Sequence, residues 1–324
     1  MNRNRRALCA ATAVLPWAAP ALAETGWPKR PVRIVVPFPP GGGTDIIARA
    51  LAGALAERLG QPVAVENKPG AATLIGADSV AKSDPDGHVL LISGSTTFTV
   101  NPALRRKLPY DPARDLIPLA MLARAPLVLV VRADAPWKTL PDLVSAARAA
   151  PGRIAYATYG PGSGPQLAAT LLALEADVRW LEVAYKGGAP AMTDLLGGQI
   201  QFVIDTVASA GPQIRAGKLR ALAVLDRART PVLPDVPSLA DARMPGAAFD
   251  AWYALAVPGR MPTDARVGLE RALRATLADP SVQSVIRAQS MEPAFVAGDA
   301  LRSLVDDETA RYRMVGHRAG IALD

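Results

Sequence analysis

The sequence predicts an α/β fold in two lobes, with mainly parallel sheets covered by helices on both faces. Three observations carry this. Short apolar runs alternate with helix-period stretches from one end of the 324 residues to the other. The runs are apolar continuously rather than at every second residue, as strands buried on both faces require. The C-terminal part changes texture, to three helices with little strand between them, like a cover laid over a domain already built.

Taken in order, strands are expected at 32–36, 63–65, 89–92, 127–131, 154–157, 200–204, 219–225 and 252–257. A helical period marks 45–59, where Ile47, Leu51 and Leu55 recur on one face, and again 140–150, 166–174 and 189–196. Thr263 stands as an N-cap before 264–277, which stops at Asp279-Pro280; helices at 282–289 and 299–315 follow. Such a chain leaves its first domain, builds a second and returns. The crossings are expected at 125–132 and in the Pro-rich 230–245 leading into 252–257. That places 24–125 and 249–324 in one lobe, with 126–248 inserted as the other.

Composition narrows the function. Half of the residues are hydrophobic and 20% are charged, ample for packed cores and incompatible with a mostly disordered chain. Arg3, Arg5 and Arg6 precede the apolar stretch 7–19 and the small-residue pattern Ala21-Leu22-Ala23, the layout of a secretory signal at 1–23 cleaved after Ala23. Three arginines leave with it, cutting the charge excess from +7 to +4. Cys9 leaves too, and the cysteine-free mature chain suits an oxidising compartment, here the periplasm. With two histidines, His88 and His317, and no other cysteine, neither a disulfide nor a histidine- or cysteine-based metal site is expected. The remaining basic residues are scattered among acids rather than gathered beside stacking aromatics, which argues against nucleic acid.

The most informative local feature is a strand followed by Pro37-Phe38-Pro39-Pro40-Gly41-Gly42-Gly43-Thr44-Asp45 and then a helix. Free N–H groups and the positive end of the helix dipole make that start an anion seat, and glycines let the backbone approach the ligand. A dinucleotide fingerprint needs glycine where Ile46 stands, and a P-loop needs Gly-Lys-Ser/Thr where the chain reads Ile46-Ile47-Ala48. Asp45 would repel a multiply charged phosphate, so a carboxylate fits better. Alternatively, the glycines make a plain tight turn and Asp45 only satisfies the helix dipole. A second copy of the arrangement weighs against that: Thr158-Tyr159-Gly160-Pro161-Gly162-Ser163-Gly164 again runs from strand to helix, in the expected second lobe. Ligands in open α/β sheets sit at the carboxyl ends of strands, where both turns fall.

Ser93, Ser95 and Thr96 follow one strand, Tyr185, Lys186 and Gly187 another, and Asp205 a third, all at the same edge. Phe38 and Tyr159 are placed either to pack on a ligand's carbon skeleton or to fill loop cores. Asp45 either accepts from an amino or hydroxyl group of the ligand or caps its helix. No G-x-S-x-G occurs, and His88 reads as a turn residue, so no catalytic group is assigned.

These segments resemble the solute-binding proteins of the tripartite tricarboxylate transporter system, the Bug family of periplasmic receptors. The resemblance rests on Trp27-Pro28, 35–42, Glu66-Asn67-Lys68-Pro69-Gly70-Ala71, Asn101-Pro102, 185–190, 194–198, 217–223 and 233–238, in order along the chain. Two places depart from the family's pattern. Ala72-Thr73-Leu74 stand where a second glycine pair is common, and the turn at 158–164 places its serine differently. The resemblance implies a type II periplasmic binding protein with two crossing hinge strands, which closes on a small carboxylate. It also implies capture mainly by backbone N–H groups, hydroxyls and ordered waters, no cofactor, and delivery to one large and one small membrane subunit. A monomer is expected. The expected ligand contacts are Phe38, Gly41, Gly42, Gly43, Thr44, Asp45, Ser93, Ser95 and Thr96 from the first lobe. From the second come Thr158, Tyr159, Gly160, Ser163, Tyr185, Lys186, Gly187 and Asp205. The ligand class stays open between di- or tricarboxylates, amino acids and aromatic acids. Two other functions fit the same residues: a receptor feeding a two-component sensor kinase, and a secreted hydrolase or lyase.

Overall fold

A computed structural model of the chain describes residues 26–323. The signal at 1–23, with Cys9 and the cleavage point at Ala23, lies outside the described residues. The elements run β1 (Val32–Val36), α1 (Gly43–Leu59), β2 (Val63–Asn67), α2 (Leu74–Ala81), β3 (Val89–Gly94), α3 (Asn101–Leu104), β4 (Leu116–Arg124). They continue with β5 (Leu127–Arg132), α4 (Leu140–Ala149), β6 (Ala155–Thr158), α5 (Gly164–Ala176), β7 (Leu181–Ala184), α6 (Gly188–Leu196), β8 (Phe202–Thr206), α7 (Val207–Arg215), β9 (Leu219–Val224). Last come β10 (Trp252–Pro258), α8 (Thr263–Leu277), α9 (Pro280–Ala288), β11 (Glu292–Ala297) and α10 (Gly298–Ala319).

The strands form a six-stranded sheet, β11-β4-β10-β3-β1-β2, and a five-stranded sheet, β7-β6-β8-β5-β9. The expectation of mainly parallel sheets needs correction, because both are mixed. β1 pairs parallel with β2 and β3, and β6 with β7 and β8, but β10 runs against β3 and β4, and β5 against β8 and β9. The cause is the traffic between sheets. β4 ends at Arg124 and β5 begins at Leu127, so the chain enters the second sheet from its crossing edge. A strand entering there must run opposite to β6 and β8, whose carboxyl ends lie at that edge. β10 repeats this on the return. The two crossings touch: Ala125 N–H donates to Ala251 O at 2.6 Å.

Both faces of both sheets are buried, which explains the continuously apolar strands. On one face of the first sheet, Ile34, Leu90 and Leu255 meet Ile47, Leu51 and Leu55 of α1 and Leu269, Leu273 and Ile286 of α8 and α9. On the other, Val35, Leu91 and Ala256 meet Val80 of α2 and Leu301 of α10. In the second sheet, Leu129, Val131, Phe202 and Ile204 pack with α4 and α5, while Val128, Val130 and Val203 pack with α6 and α7. α8 starts one residue before its expected range, with Pro262 rather than Thr263 in the cap position.

α10 carries a deeply buried acid whose carboxyl is pushed up toward neutrality. Glu308, 7% exposed, accepts from Trp252 Nε1 at 3.1 Å on both oxygens. Burial pushes its carboxyl up to about 7, against the pull of Trp252 and Thr99. The folded chain therefore holds this proton more tightly than the unfolded chain does. The group's stabilising contribution is complete below pH 4.5 and is lost as the pH rises through about 7. Glu308→Gln, which stays neutral, should remove that loss. Urea titrations should show the variant gaining on the wild type between pH 5 and pH 8, by up to about 3 kcal/mol; equal pH profiles would contradict the assignment.

Candidate functional site

The carboxyl ends of β3 and β8 are level with the crossings, since Gly94 pairs with Tyr253 and Thr206 with Leu127. β1 runs parallel to β3 and β6 to β8, so the glycine turns that leave β1 and β6 lie at the same boundary between the two sheets. In the first, Gly41 adopts φ +82°, and Gly42 is the N-cap of α1 with no side-chain capping bond. Asp45, 3% exposed, organises the turn. Its Oδ2 accepts from Gly41 N–H at 2.9 Å and Arg49 Nε at 3.0 Å, and its Oδ1 from Asn67 Nδ2 at 2.9 Å. The Arg49 guanidinium, helped by Gly41 and Asn67, holds the Asp45 carboxyl down at about 2. Asp45 is thus fully engaged within the protein and braces the turn. The α1 N–H groups of Gly43, Thr44 and Asp45 have no acceptor within their own helix.

The second turn is built to the same plan. Gly162 adopts φ +74°, Ser163 is the N-cap of α5, and Gln166 occupies the position equivalent to Asp45. Gln166 Oε1 accepts from Gly162 N–H at 2.8 Å, as Asp45 does from Gly41. Its Nε2 donates to Glu182 at 3.0 and 3.2 Å, the counterpart of the Arg49 contact. Ser163 Oγ accepts from Tyr159 N–H at 3.2 Å, and Thr158 Oγ1 donates to Glu182 Oε1 at 3.0 Å, so both hydroxyls hold the turn rather than project from it. Gly160, φ +97°, has open space where a Cβ would lie.

Around each turn the neighbouring loops contribute differently. Ser93 is fully buried and shares a 2.5 Å hydrogen bond with Thr97, which reaches Thr73 at 2.7 Å. Asn101 Nδ2 completes this buried chain on Ala72 O at 2.9 Å. Ser95 is buried and Thr96 half-buried at the start of a π-helical turn, Thr96–Val100. Thr44 is turned in toward the Tyr253 hydroxyl, and Phe38 meets the Tyr253 ring edge-on at 6.4 Å. Beside the second sheet Tyr185 donates to Asp194 of α6 at 2.8 Å, Lys186 is exposed, and Gly187 is the N-cap of α6. Tyr159 and Asp205 converge on Gly188, whose Cβ would stand 3.0 Å from Asp205 Oδ2 and 3.1 Å from the Tyr159 hydroxyl. Burial, then the Asp205 carboxylate, drives the Tyr159 hydroxyl far above its ordinary value.

Several residues that shape the site carry no expectation from sequence: Asn67, Arg49, Thr73, Asn101, Gln166 and Glu182. Asn67 and Asn101 stand in the segments that carry the family resemblance, the one signal that points to them. Gly70 to Thr73 run through four successive positive φ values, 130°, 46°, 51° and 79°, at the place where Ala72 and Thr73 replace a glycine pair. Among the described residues no helix is long and apolar enough to cross a membrane, and no cluster of three His, Cys, Asp or Glu could hold a metal. A surface groove of about 710 Å³ behind α5, lined by Leu171, Met314 and Arg318, includes none of these turn residues.

Residues 47–321 match the family described as "Tripartite tricarboxylate transporter family receptor". The chain is 37% identical over 307 residues to protein BugT of Bordetella pertussis, covering 94% of each. It resembles the structure of Rhodopseudomonas palustris Rpa4515 with adipate at a TM-score of 0.79 and 34% identity, covering 91% of this chain and 99% of that one. It resembles MatC of the same organism with bound malate at a TM-score of 0.74 and 32% identity, covering 89% and 99%.

The two braces should be separable from the fold at large. Asp45→Ala orphans Gly41 N–H and Asn67, and Gln166→Leu orphans Gly162 N–H; each should cost about 1–3 kcal/mol in urea unfolding. Because the Asp45 carboxyl is depressed, its contribution is present above pH 3.8 and lost as the pH falls through about 2. The gap between wild type and Asp45→Ala should therefore be the same at pH 7 and pH 5, and a gap that closed by pH 5 would show that Asp45 does not brace the turn as a carboxylate.

Proposed function

The chain belongs to the tripartite tricarboxylate transporter receptor family, whose members are solute-binding proteins rather than enzymes, and from this premise we propose that it captures a small organic acid between two lobes and delivers it to a membrane transporter. The lobes are residues 24–125 with 249–324, and 126–248. The place of capture is the periplasm, reached by cleavage after Ala23, and the receiving partners are one large and one small membrane subunit. The observation that carries this reading is the pair of matching glycine turns, each leaving the start of a helix open and each braced from behind through Asp45 or Gln166.

The ligand's carboxylates are taken by main-chain N–H groups at Gly42–Asp45 and at the starts of α5 and α6. Each helix start contributes roughly 0.3–1 kcal/mol to holding an anion, up to about 2 when partly buried. A micromolar dissociation constant needs about 8 kcal/mol, so direct hydrogen bonds from both lobes must supply the larger share. Adipate and malate in two related structures support an acid of this size.

A thermal-shift screen of organic acids on the mature protein tests the reading, since a ligand at about 100 times its dissociation constant stabilises by about 2.7 kcal/mol. Gly42→Val is the sharp control. A Cβ there meets only Pro39 O at an ordinary 3.7 Å, so the fold should survive while the side chain blocks the approach to α1. The expected result is normal melting without ligand and no shift with it. A variant that kept full affinity, or a wild type that responded to no acid, would refute the proposal.

A further inference from the structure

The two glycine turns are built to one plan, yet their backs are filled differently. A Cβ on Gly41 would find nothing within 4 Å, whereas a Cβ on Gly162, its counterpart, would run into Leu323 Cδ1 and stand 3.2 Å from Cδ2 and 3.3 Å from Cγ. All three of these nearest atoms belong to one side chain. We propose that Leu323 is a positioning residue for ligand capture: anchored on α3, which follows the first sheet's β3, it backs the second glycine turn and so holds the two turns at the separation that one acid can bridge. This rests on the organic-acid reading above and extends it to how the same site is kept in shape.

The main chain fixes where Leu323 reaches. α10 ends at Gly320, φ +68°, and Ile321 N–H donates to Gly316 O at 2.8 Å, which reverses the chain after the helix. Leu323 then pairs with Arg105 in a short parallel bridge. Its N–H donates to Leu104 O at 2.9 Å, and its O accepts from Arg106 N–H at 3.2 Å. Main-chain bonds on both sides of one residue leave its Cα little freedom. Gly316 lets α10 lie close to α3 here, because a Cβ there would meet Leu104 Cδ2. The Leu323 side chain, 6% exposed, shares an apolar cluster with Val100 and Leu104 at α3 and with Leu167 of α5.

The second turn thus has a free side and a packed side. Gly160 has open space where a Cβ would lie, and Gly162 has Leu323. Gln166 secures Gly162 from within α5, but α5 packs on the second sheet, so that bond fixes the turn relative to its own half. The first turn is backed from its own side: a Cβ on Gly43 would stand 3.0 Å from Met291 Cε, and Met291 lies in the first sheet's core. Leu323 instead carries the second turn on an element of the opposite half. Amide donors lose hydrogen-bond strength steeply when they move out of line, so a seat made of them has to be held to fractions of an ångström. A close-packed interior passes on the position of a neighbour in this way, and shortening Leu323 opens a void directly behind Gly162.

Two measurements on the mature protein test this. In hydrogen exchange without ligand, Leu323→Ala should make the amides of 159–166 exchange several times faster while those of 41–49 keep the wild-type rate. In isothermal titration with whichever of malate, adipate and the other screened acids gives the largest thermal shift, the folded variant should bind about tenfold more weakly. Leu323→Met conserves volume and should restore both readouts to within about twofold. Ile321→Ala loosens the same segment without touching Gly162 and should change neither, which separates positioning from a general loss of stability. Should Leu323→Ala fail to fold by circular dichroism, Leu323→Val makes the smaller cut, with the same directions expected. Wild-type exchange at 159–166, unaltered affinity, or an equal effect from Ile321→Ala would overturn the role of Leu323 while leaving acid capture standing. A wild type that binds no acid in the screen would instead remove the organic-acid reading and, with it, the ligand role of Leu323, whatever the exchange rates.

Discussion

A helix that starts at the carboxyl end of a buried strand leaves its first N–H groups without acceptors, and at a ligand seat they must stay that way until a ligand arrives. The turn in front of the helix then has to be held by something other than those groups. In both halves of this protein the third residue of the helix does it, reaching back to the glycine two places before the helix begins. The residue types differ. Asp45 is charged and sits against the positive end of α1, where it would oppose an incoming anion if it stood alone; Arg49 at 3.0 Å offsets that charge. Gln166 does the same task without charge, steadied by Glu182 from the neighbouring strand. The shared geometry and different chemistry indicate that holding the turn is the constraint, and that neither carboxylate nor amide is needed for its own sake.

The same economy governs how the halves are joined. The crossings are tied by Ala125 N–H to Ala251 O, by Leu225 N–H to Leu127 O and by Phe249 N–H to Leu225 O, with an Arg124–Asp250 ion pair beside them. Trp252, the first residue of the returning strand, stacks on Phe98 at 5.7 Å, which links the crossing to the π-helical turn at Thr96–Val100. Behind the second glycine turn lies the chain's own C-terminal segment. A Cβ on Gly162 would stand 2.4 Å from Leu323, while Leu323 N–H donates to Leu104 O in the first half at 2.9 Å. Gly162 is therefore glycine for two reasons, its positive φ and the leucine that fills the space of a side chain.

How much of this could be read from the chain follows the strength of each local signal. β3, β5 and β10 are largely apolar runs, β1 is interrupted only by Arg33, and all four are legible. β4 is not, because Pro118 and a run of leucine, alanine and methionine give it neither strand composition nor alternation. β11, with Pro293, and the four-residue β7 lie at sheet edges, where pairing from one side tolerates weak sequence. The antiparallel entries of β5 and β10 depend on where the chain crosses between sheets, which no local pattern encodes. At the site, the glycine turns are legible as turns. Asp45, Ser93, Thr158 and Ser163 are legible as polar residues near them, yet the sequence does not show that their side chains face inward to brace the loops. That distinction is made by Asn67, Thr97, Glu182 and Gln166, partners at 4–24 residues' distance along the chain.

If the proposed seat is made of amides, that has consequences for how the two halves cooperate. If micromolar affinity takes about 8 kcal/mol and each half supplies a similar share, a ligand on one half alone is held by about 4 kcal/mol, close to a millimolar dissociation constant. Contacts made only when both halves meet the ligand then favour the closed arrangement by a similar amount, about a thousandfold. No cation with a fixed charge is needed for this, and Arg49, beside the first turn, is already committed to Asp45. On the proposed capture between two lobes, full affinity exists only while both turns are in place around the ligand, and separation of the lobes lowers it at once. A receptor working as proposed would gain both retention and release from that division, and rigid bracing of each turn would keep the division sharp.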